Sequence, residues 1–221
     1  MQKYKFTGET KEVYGRTLHQ IVCVTAFASV AAGEVGGYIE KEVNLSQDGN
    51  AWVSGNAKVS GDAEVFGNAK VSGNAKVCGN AKVCGDAKVC GNAKVFGDAN
   101  VSGDAKVFGN AKVFGDAWVF GDAEVCGDAE VFGNAILRRG STETATDYIV
   151  IGPQGSRRSF ATLHLPSNTV CTGCFVGNLN EFKKAVYKNH NPDQGRVTFN
   201  NQYQRVIRVF EFLQEQDKDA Q

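Results

Sequence analysis

A six-residue repeat dominates this chain and limits what it can fold into. Valine occupies every sixth position from Val53 to Val131, each time in the unit Val-x-Gly-(Asn/Asp)-Ala-x. A single unit of this length cannot bury its apolar side chains alone, so successive units must stack on one another. The uninterrupted period over fourteen units therefore predicts a solenoid.

Each unit combines a short strand with a corner. In the segment 57–60, Ala-Lys-Val-Ser, strand alternation points the alanine and valine to one face and the lysine and serine to the other. The following Gly61 accepts positive φ without steric cost, and Asp62 tolerates the left-handed region while its side chain bonds nearby backbone. A strand and a corner, repeated, predict a coil whose interior is lined by alanine and valine.

The repeat resembles the hexapeptide repeat of left-handed parallel β-helices, in which an aliphatic residue and the small residue two positions before it face the interior. Three hexapeptides form one triangular coil in such proteins. The resemblance implies between four and five coils, stacked about 4.8 Å apart into a prism about 20 Å tall. A right-handed solenoid of the bactofilin type is the main alternative, and the strict period of six argues against it.

An 18-residue coil would stack the residue after each valine into outward-facing columns. One column consists of Ser60, Cys78, Phe96, Phe114 and Phe132. Its three phenylalanines can stabilise the sheet simply by stacking on one another. A contiguous apolar stripe also marks partner surfaces, so Phe96, Phe114 and Phe132 are a candidate oligomer interface for another copy of the chain or for its C-terminal segment.

Composition narrows the function classes. The formal net charge is zero, and residues 53–136 contain eight lysines against ten acids, so a basic nucleic-acid-binding face receives little support. No apolar run approaches the eighteen or so residues of a membrane span, and the start Met-Gln-Lys-Tyr-Lys lacks a signal-peptide core. Four of the seven cysteines, Cys78, Cys84, Cys90 and Cys126, interchange with Ser and Phe at one repeat position, which indicates replaceable residues in a reducing compartment. We expect a cytoplasmic protein, in the host cytoplasm if a phage encodes it, without a membrane partner.

The flanking regions differ from the repeat. Residues 1–50 are expected to form an N-terminal β cap, because a solenoid needs its terminal apolar layer covered; 51–137 form the β-helix and 138–146 a linker. Residues 147–221 are expected to form a small α+β domain. Its predicted elements are strands at 148–151, 160–165 and 170–172, a helix that starts with the capping-box pair Asn178 and Glu181, and a second helix with apolar residues from Tyr203 to Leu213. The expected fold class is therefore mainly β.

Candidate chemistry lies in this C-terminal region. The turn 152–158 offers backbone amides, the Ser156 hydroxyl and the guanidiniums of Arg157 and Arg158, which suit an anionic group, although a plain hairpin loop explains it equally well. Cys171 and Cys174 form an isolated CxxC.

A zinc site completed by His164 and His190 would have spacings that match no standard finger, so we expect no metal and no cofactor. Cys174 as a nucleophile with His190 as its base is a further alternative. The candidate ligand-binding residues are Ser156, Arg157, Arg158, Cys174 and His190.

Motifs near both ends resemble a second, more specific family. They are Phe6-Thr7-Gly8-Glu9-Thr10, Gly15-Arg16-Thr17-Leu18, Gly33-x-x-Gly36-Gly37-Tyr38-Ile39-Glu40, Asn44-Leu45-Ser46, Ile151-Gly152-Pro153, Gly155-Ser156-Arg157, Gly173-Cys174-Phe175 and Gly177-x-Leu179-x-Glu181-Phe182. Together with the array they are similar to a phage- and prophage-borne family of hexapeptide-repeat proteins of the YdcK type. The resemblance covers nearly the full length and implies a left-handed β-helix and a phage context. Members are labelled as transferases or polymer-forming cytoskeletal proteins, and the resemblance supplies no reaction.

The positions of the histidines argue against two enzyme classes built on this scaffold. Acyltransferases of this fold use a histidine base at a coil or loop, and γ-class carbonic anhydrases hold zinc with three histidines, yet His19, His164 and His190 all lie outside the repeats. Ice binding would need threonine ladders, and the repeats contain no threonine. We therefore expect a non-enzymatic binding or interaction protein, a homo-oligomer whose C-terminal domain binds an anionic small molecule or a host defence protein. The alternatives are a group transferase with a site between subunits and a filament-forming structural protein.

Overall fold

The computed structural model describes residues 2–144, 146–154, 159–173, 175–190 and 197–219. Its main part is a parallel β-solenoid of about six turns. Three longer strands precede the regular coils: β1 (Tyr4–Val13), β2 (Arg16–Cys23) and β3 (Val35–Ile39), followed by a 3₁₀ turn at Glu42–Asn44. The solenoid strands, two residues each, are β4 (Trp52–Val53), β5 (Lys58–Val59), β6 (Glu64–Val65), β7 (Lys70–Val71), β8 (Lys76–Val77), β9 (Lys82–Val83), β10 (Lys88–Val89), β11 (Lys94–Val95), β12 (Asn100–Val101), β13 (Lys106–Val107), β14 (Lys112–Val113), β15 (Trp118–Val119), β16 (Glu124–Val125), β17 (Glu130–Val131), β18 (Ile136–Leu137) and β19 (Ser141–Thr142).

These strands form three faces. The first face contains β3, β5, β8, β11, β14 and β17, the second contains β4, β7, β10, β13, β16 and β19, and the third contains β6, β9, β12, β15 and β18. Strands of the regular array pair in parallel with the strand 18 residues further on, as Lys58 does with Lys76. This register confirms the three-unit coil. The number of turns exceeds the expected four to five, because β3 and the bridge of Leu45 to Val65 extend the array before the fourteen units, and β18 and β19 extend it after them.

The interior of the solenoid consists of the alanine and valine of each unit. From Ala51 to Val131 these side chains are 0–1% exposed. Corners repeat with the same period, and Gly85 is typical, with φ +67 and a hypothetical Cβ only 2.8 Å from the backbone nitrogen of Gly103 in the next coil. The strand-and-corner interpretation of the repeat is therefore confirmed.

Hydrogen bonds between the regular coils run in both directions. The N–H groups of Lys58 and Lys76 donate to the C=O groups of Ala75 and Ala93 in the next coil, both at 2.9 Å. In the parallel strand pairs, the N–H of one strand also donates back to a C=O of the preceding coil. Both ends of the solenoid therefore have N–H and C=O groups with no neighbouring coil to bond them.

Donors cover the first end. The Lys3 Nζ donates to the Ala51 carbonyl at 3.0 Å, and the Asn44 Nδ2 donates to the Ala63 carbonyl at 2.8 Å. The Tyr4 hydroxyl donates to the Leu45 carbonyl at 2.7 Å.

Two hydroxyl groups cover the last end. The Tyr148 hydroxyl accepts from the Phe132 N–H and donates to the Glu130 carbonyl, both at 3.1 Å, and the Thr162 hydroxyl accepts from the Ile136 N–H at 3.0 Å. Side chains therefore complete the backbone hydrogen bonding at both ends.

The β1–β2 hairpin carries an arm, residues 11–18, that lies against the first face. The ring of Tyr14, at the tip, is 5.2 Å from the Lys76 Nζ, and Arg16 forms a salt bridge with Glu40 at 2.9 Å. The arm thus extends two rungs beyond β3. The phenylalanine column begins one coil further, at Phe96, and the rungs beside the arm carry the smaller Ser60 and Cys78 in that column.

The C-terminal region adds a four-stranded antiparallel sheet of β20 (Tyr148–Gln154), β21 (Ser159–His164), β22 (Thr169–Thr172) and β23 (Phe175–Gly177), with helices α1 (Leu179–Asn189) and α2 (Val197–Asp219). One side of this sheet closes the solenoid through Thr162 and His164. The other side packs Ala161 and Leu163 into a cluster with both helices. The fold therefore has the α+β ending that was expected, with β23 as an additional strand.

Two details of this region bear on the predictions. Asn178 and Glu181 form the capping box at the start of α1, with the Glu181 N–H donating to the Asn178 Oδ1 at 3.0 Å. The stretch 138–146, expected as a linker, contains β19, which pairs in parallel with β16 and places Thr142 in the buried position of the repeat's valine.

No helix in the described part of the chain is long and apolar enough to cross a membrane.

Candidate ligand-binding site

Most of the residues proposed from sequence as ligand contacts, Ser156, Arg157, Arg158 and Cys174, lie outside the described residues. His190 is described, and it closes the C-terminal end of α1 by donating its N–H to the Val186 carbonyl at 2.8 Å. Its ring centroid lies 5.0 Å from that of Tyr203 and 6.1 Å from that of Phe199. The structure thus places His190 in the packing between the two helices, and its role as a base stays a prediction.

Burial argues against metal or thiolate chemistry at Cys171. Its side chain is 2% exposed, and burial raises the pKa of its thiol to about 11 in spite of Arg138 and Arg139. A zinc ligand or nucleophile needs the opposite shift. Among the described residues, no group of three His, Cys, Asp or Glu side chains could hold a metal ion.

His164 belongs to a buried hydrogen-bond network. Its Nε2 is 2.9 Å from the Thr142 hydroxyl, and its Nδ1 is 2.6 Å from the Ser167 hydroxyl. Burial lowers the pKa of His164, so the ring is held in its neutral form. The Ser167 hydroxyl also donates to the Thr169 hydroxyl at 2.9 Å, which makes this pair a structural link between the C-terminal sheet and the last coil rather than a nucleophile and its base.

The phenylalanine column forms a continuous ring stack on the first face. The centroids of Phe96 and Phe114 are 4.9 Å apart with planes at 1°, and those of Phe114 and Phe132 are 5.4 Å apart at 16°. The self-stacking alternative is therefore what the structure shows, while an oligomer interface at these residues stays a prediction. The stack ends at Phe132, which is 47% exposed.

A cavity of about 360 Å³ opens where the ring stack meets the C-terminal sheet, and we call it the junction pocket. It is lined by Phe132, Gly133, Asn134, Tyr148, Ile149, Val150, Gly152 and Phe160. The Tyr148 ring stands edge-on to Phe132, with centroids 6.4 Å apart, and its hydroxyl is fixed between the Phe132 N–H and the Glu130 carbonyl. A Cβ on Gly152 would lie 2.8 Å from the Cα and the ring of Phe160, so glycine allows that close approach. Three aromatic side chains held by different elements thus form the walls.

Asn134 is the polar side chain of the junction pocket. In earlier coils the corner amide donates to the next corner, as from Asn80 to Asp98 at 2.9 Å and from Asn92 to Asn110 at 3.2 Å. Asn134 stands at the end of its column, and within the described ranges its amide makes no hydrogen bond. The end of the repeat therefore leaves an amide without a partner beside three aromatic rings.

The lining carries no carboxylate, ammonium, imidazole or thiol. The phenol of Tyr148 is its titratable group, and burial raises the pKa of that phenol, so it stays protonated at neutral pH. The pocket can therefore bind a flat, partly polar molecule, and it presents no acid, base or nucleophile. Two other grooves do carry carboxylates. Glu42 and Glu64 line the first of them. Glu143 and Asp147 line the second, together with Gly140 and Ser167.

Comparison with protein-family models gives no match, and no curated protein matches the chain with significant sequence similarity. The function is therefore inferred from the chemistry of the junction pocket.

Proposed function

We propose that this chain is a binding protein without a catalytic role, and that the solenoid holds the junction pocket in a fixed shape. The observation that carries this proposal is a concave site with aromatic walls and one unpaired amide. Ligand pockets typically combine apolar walls with a few convergent polar groups, whereas catalytic sites need titratable or nucleophilic side chains in reach of the substrate. The lining has the first composition.

A planar heteroaromatic ring, such as a nucleobase, is the ligand that fits this lining best. Aromatic side chains stack on the flat faces of bases, and an asparagine amide can both donate to and accept from a base edge. The volume of about 360 Å³ lies at the small end of the usual range for ligand sites, which favours a small molecule over a peptide. Ser156, Arg157 and Arg158, which the sequence offers as candidate contacts for an anionic group, would then hold phosphate.

The family resemblance supplies the biological setting of the proposal. In a phage context, a protein that binds a nucleotide without converting it would sequester a host signal and so act in counter-defence. The same chain could instead block a host defence protein. Cytoplasmic localisation and assembly into a closed homo-oligomer belong to this proposal.

The positions of the histidines favour binding over group transfer. His19 stacks on Phe6 at 4.8 Å, His164 is bonded at both ring nitrogens, and His190 packs between helices. The covered ends likewise favour a closed particle over a filament, since end-to-end growth needs unpaired strand edges.

Native mass spectrometry of freshly purified protein, followed by calorimetric titration with AMP, GMP, CMP and UMP, tests the proposal. We expect one or more of these nucleotides to bind, and Asn134→Ala to weaken that binding about tenfold, since a lost hydrogen bond is worth about 1.4 kcal/mol. Asn80→Ala, in the same corner column but remote from the pocket, is the matched control and should leave binding unchanged. Equal nucleotide affinity in the two variants would show that the nucleotide does not bind in the junction pocket.

The arginine pair is tested separately with Arg157→Ala and Arg158→Ala combined. The affinity of the double variant for the nucleotide should be no higher than its affinity for the corresponding nucleoside. A protein that retains no small molecule and binds none of the four nucleotides would shift the proposal to blockade of a host protein, to be sought by pull-down from host lysate.

A further inference from the structure

A cluster of lysines lies where the arm meets the first face, remote in sequence from the junction pocket. The Lys11 Nζ is 4.4 Å from the centroid of the Tyr38 ring. The Lys76 Nζ is 5.2 Å from the centroid of the Tyr14 ring and 3.5 Å from its hydroxyl oxygen. Lys58 lies between them, paired in register with Tyr38 on one side and Lys76 on the other. Three ammonium groups thus surround the contact between arm and solenoid.

These ammonium groups have no carboxylate partner in the described part of the chain. The Lys58 Nζ donates to the Asn56 carbonyl at 3.0 Å, which is not a counter-ion. The nearby Glu40 is already engaged by Arg16 at 2.9 Å and by the Gly61 N–H at 2.6 Å. Burial lowers the pKa of Lys58, and the charges of Lys11 and Lys76 lower it further, as expected for positive charges without compensation.

Three lysines elsewhere on the solenoid have carboxylate partners. Lys106 pairs with Glu124 at 2.5 Å, Lys112 with Glu130 at 2.6 Å, and Lys82 with Glu64 at 3.5 Å. Lys70, Lys88 and Lys94 also have no carboxylate partner in the described part of the chain. What distinguishes Lys58 and Lys76 is that a second segment, the arm, lies beside them. Repulsion among the ammonium groups of Lys11, Lys58 and Lys76 opposes the contact between arm and solenoid. A multivalent anion bound between them would replace that repulsion with attraction.

We propose that a polyphosphate group binds between the arm and the first face, held by Lys11, Lys58 and Lys76 with the exposed Tyr14 hydroxyl as an additional donor. Ammonium groups on flexible stems bind phosphate oxygens as point charges, and a chain of phosphates matches three of them in charge. Tyr14 is 88% exposed, so its hydroxyl is available to an incoming anion. This site is independent of the junction pocket and of the function proposed for it.

Titration with inorganic tripolyphosphate tests the site. The variant Lys58→Gln with Lys76→Gln is compared with Lys70→Gln and Lys88→Gln, an equally registered pair on the second face that has neither an arm nor tyrosines beside it. We expect wild type and the second-face variant to bind with similar affinity, and the first-face variant to bind at least about tenfold more weakly. Hydrogen exchange of residues 11–18 should slow on addition of tripolyphosphate in the wild type and in the second-face variant.

Two outcomes would overturn the inference. Equal loss in both double variants would mean a diffuse attraction of anions to a lysine-rich surface. Unchanged hydrogen exchange of the arm at saturating tripolyphosphate would mean that the anion does not bridge arm and solenoid.

Titration with ATP distinguishes the source of the phosphates. Equal affinity for ATP and tripolyphosphate assigns recognition to the phosphate chain, while tighter ATP binding assigns it to a nucleotide. Retention of tripolyphosphate binding in Asn134→Ala separates this site from the junction pocket.

Discussion

At the scale of the residue, two constraints select glycine at the corners: a positive φ and a close approach to the next coil. Comparing two corner positions separates their effects. Gly85 has φ +67 and its hypothetical Cβ would lie 2.8 Å from the Gly103 nitrogen, whereas Gly133, at φ +64, would place a Cβ in open space. Gly133→Ala should therefore cost only the left-handed backbone penalty of about 1–2 kcal/mol. Gly85→Ala should cost clearly more, because the next coil must also move. Urea unfolding of both variants measures the difference, and equal losses would show that φ alone selects glycine.

His164 makes the stability of the protein depend on pH. Its folded-state pKa is lowered by burial, so below the ordinary value of about 6.5 the unfolded chain binds a proton that the folded chain resists. The contribution is thus fully present above pH 6.5 and is lost as pH falls through the folded-state pKa. Asp147, which faces His164, has a lowered pKa and titrates below this window.

Denaturant unfolding between pH 5 and 7.5 checks this expectation. The free energy of unfolding should fall with acidity in the wild type, and His164→Gln should flatten that dependence while lowering stability at neutral pH. A wild-type slope that survives the substitution would assign the dependence to another group.

At the scale of the element, the last coil of the solenoid needs hydrogen-bond partners for its backbone groups. Thr162 is fully buried and its hydroxyl accepts from the Ile136 N–H at 3.0 Å, so it takes the place of a carbonyl from a following coil. Thr162→Val keeps the shape and leaves that N–H unpaired, which should cost about 1–3 kcal/mol. Thr162→Ser restores the acceptor and should recover most of the loss in thermal unfolding. A valine variant as stable as the serine variant would mean that water replaces the hydroxyl.

Elements with a strong local signal could be predicted from the sequence. The period of six determined the strand positions and the buried alanines and valines, and the Asn178–Glu181 pair located the start of α1, because these features follow from interactions within a few residues. The strand β19 was missed, since Ser141–Thr142 departs from the repeat in sequence and joins it only through pairing with β16.

The candidate site depends on contacts that no local pattern encodes. The end of the repeat at Ala135 indicated where corner amides lose their partners, and this signal could have identified Asn134. The placement of Tyr148 and Phe160 against Phe132 follows from how the C-terminal sheet docks on the last coil, and the approach of Tyr14 to Lys76 follows from the course of a long hairpin. Both are tertiary arrangements between segments far apart in sequence.

At the scale of the whole molecule, the two covered ends decide how copies can associate. Uncovered, the first and the last end would each expose the N–H and C=O groups that a neighbouring coil bonds within the array, so the ends of two copies would be complementary and would continue the hydrogen-bond ladder without closing. Lys3 and Asn44 help to cover the first end, and Tyr148 and Thr162 help to cover the last. Growth along the solenoid axis is thereby blocked twice, while association through the sides remains open.

Truncation tests this account. We expect residues 51–137, which lack both covers, to form filaments, because each end then finds its complement in another copy. Residues 1–137 lack only the last cover and should not form filaments, since the first end stays closed and growth along the axis needs both ends open. The full chain should sediment as a single closed species. Electron microscopy of negatively stained samples with sedimentation velocity distinguishes the three, and filaments of the full chain would show that the covers do not control assembly and would revive the structural-filament alternative.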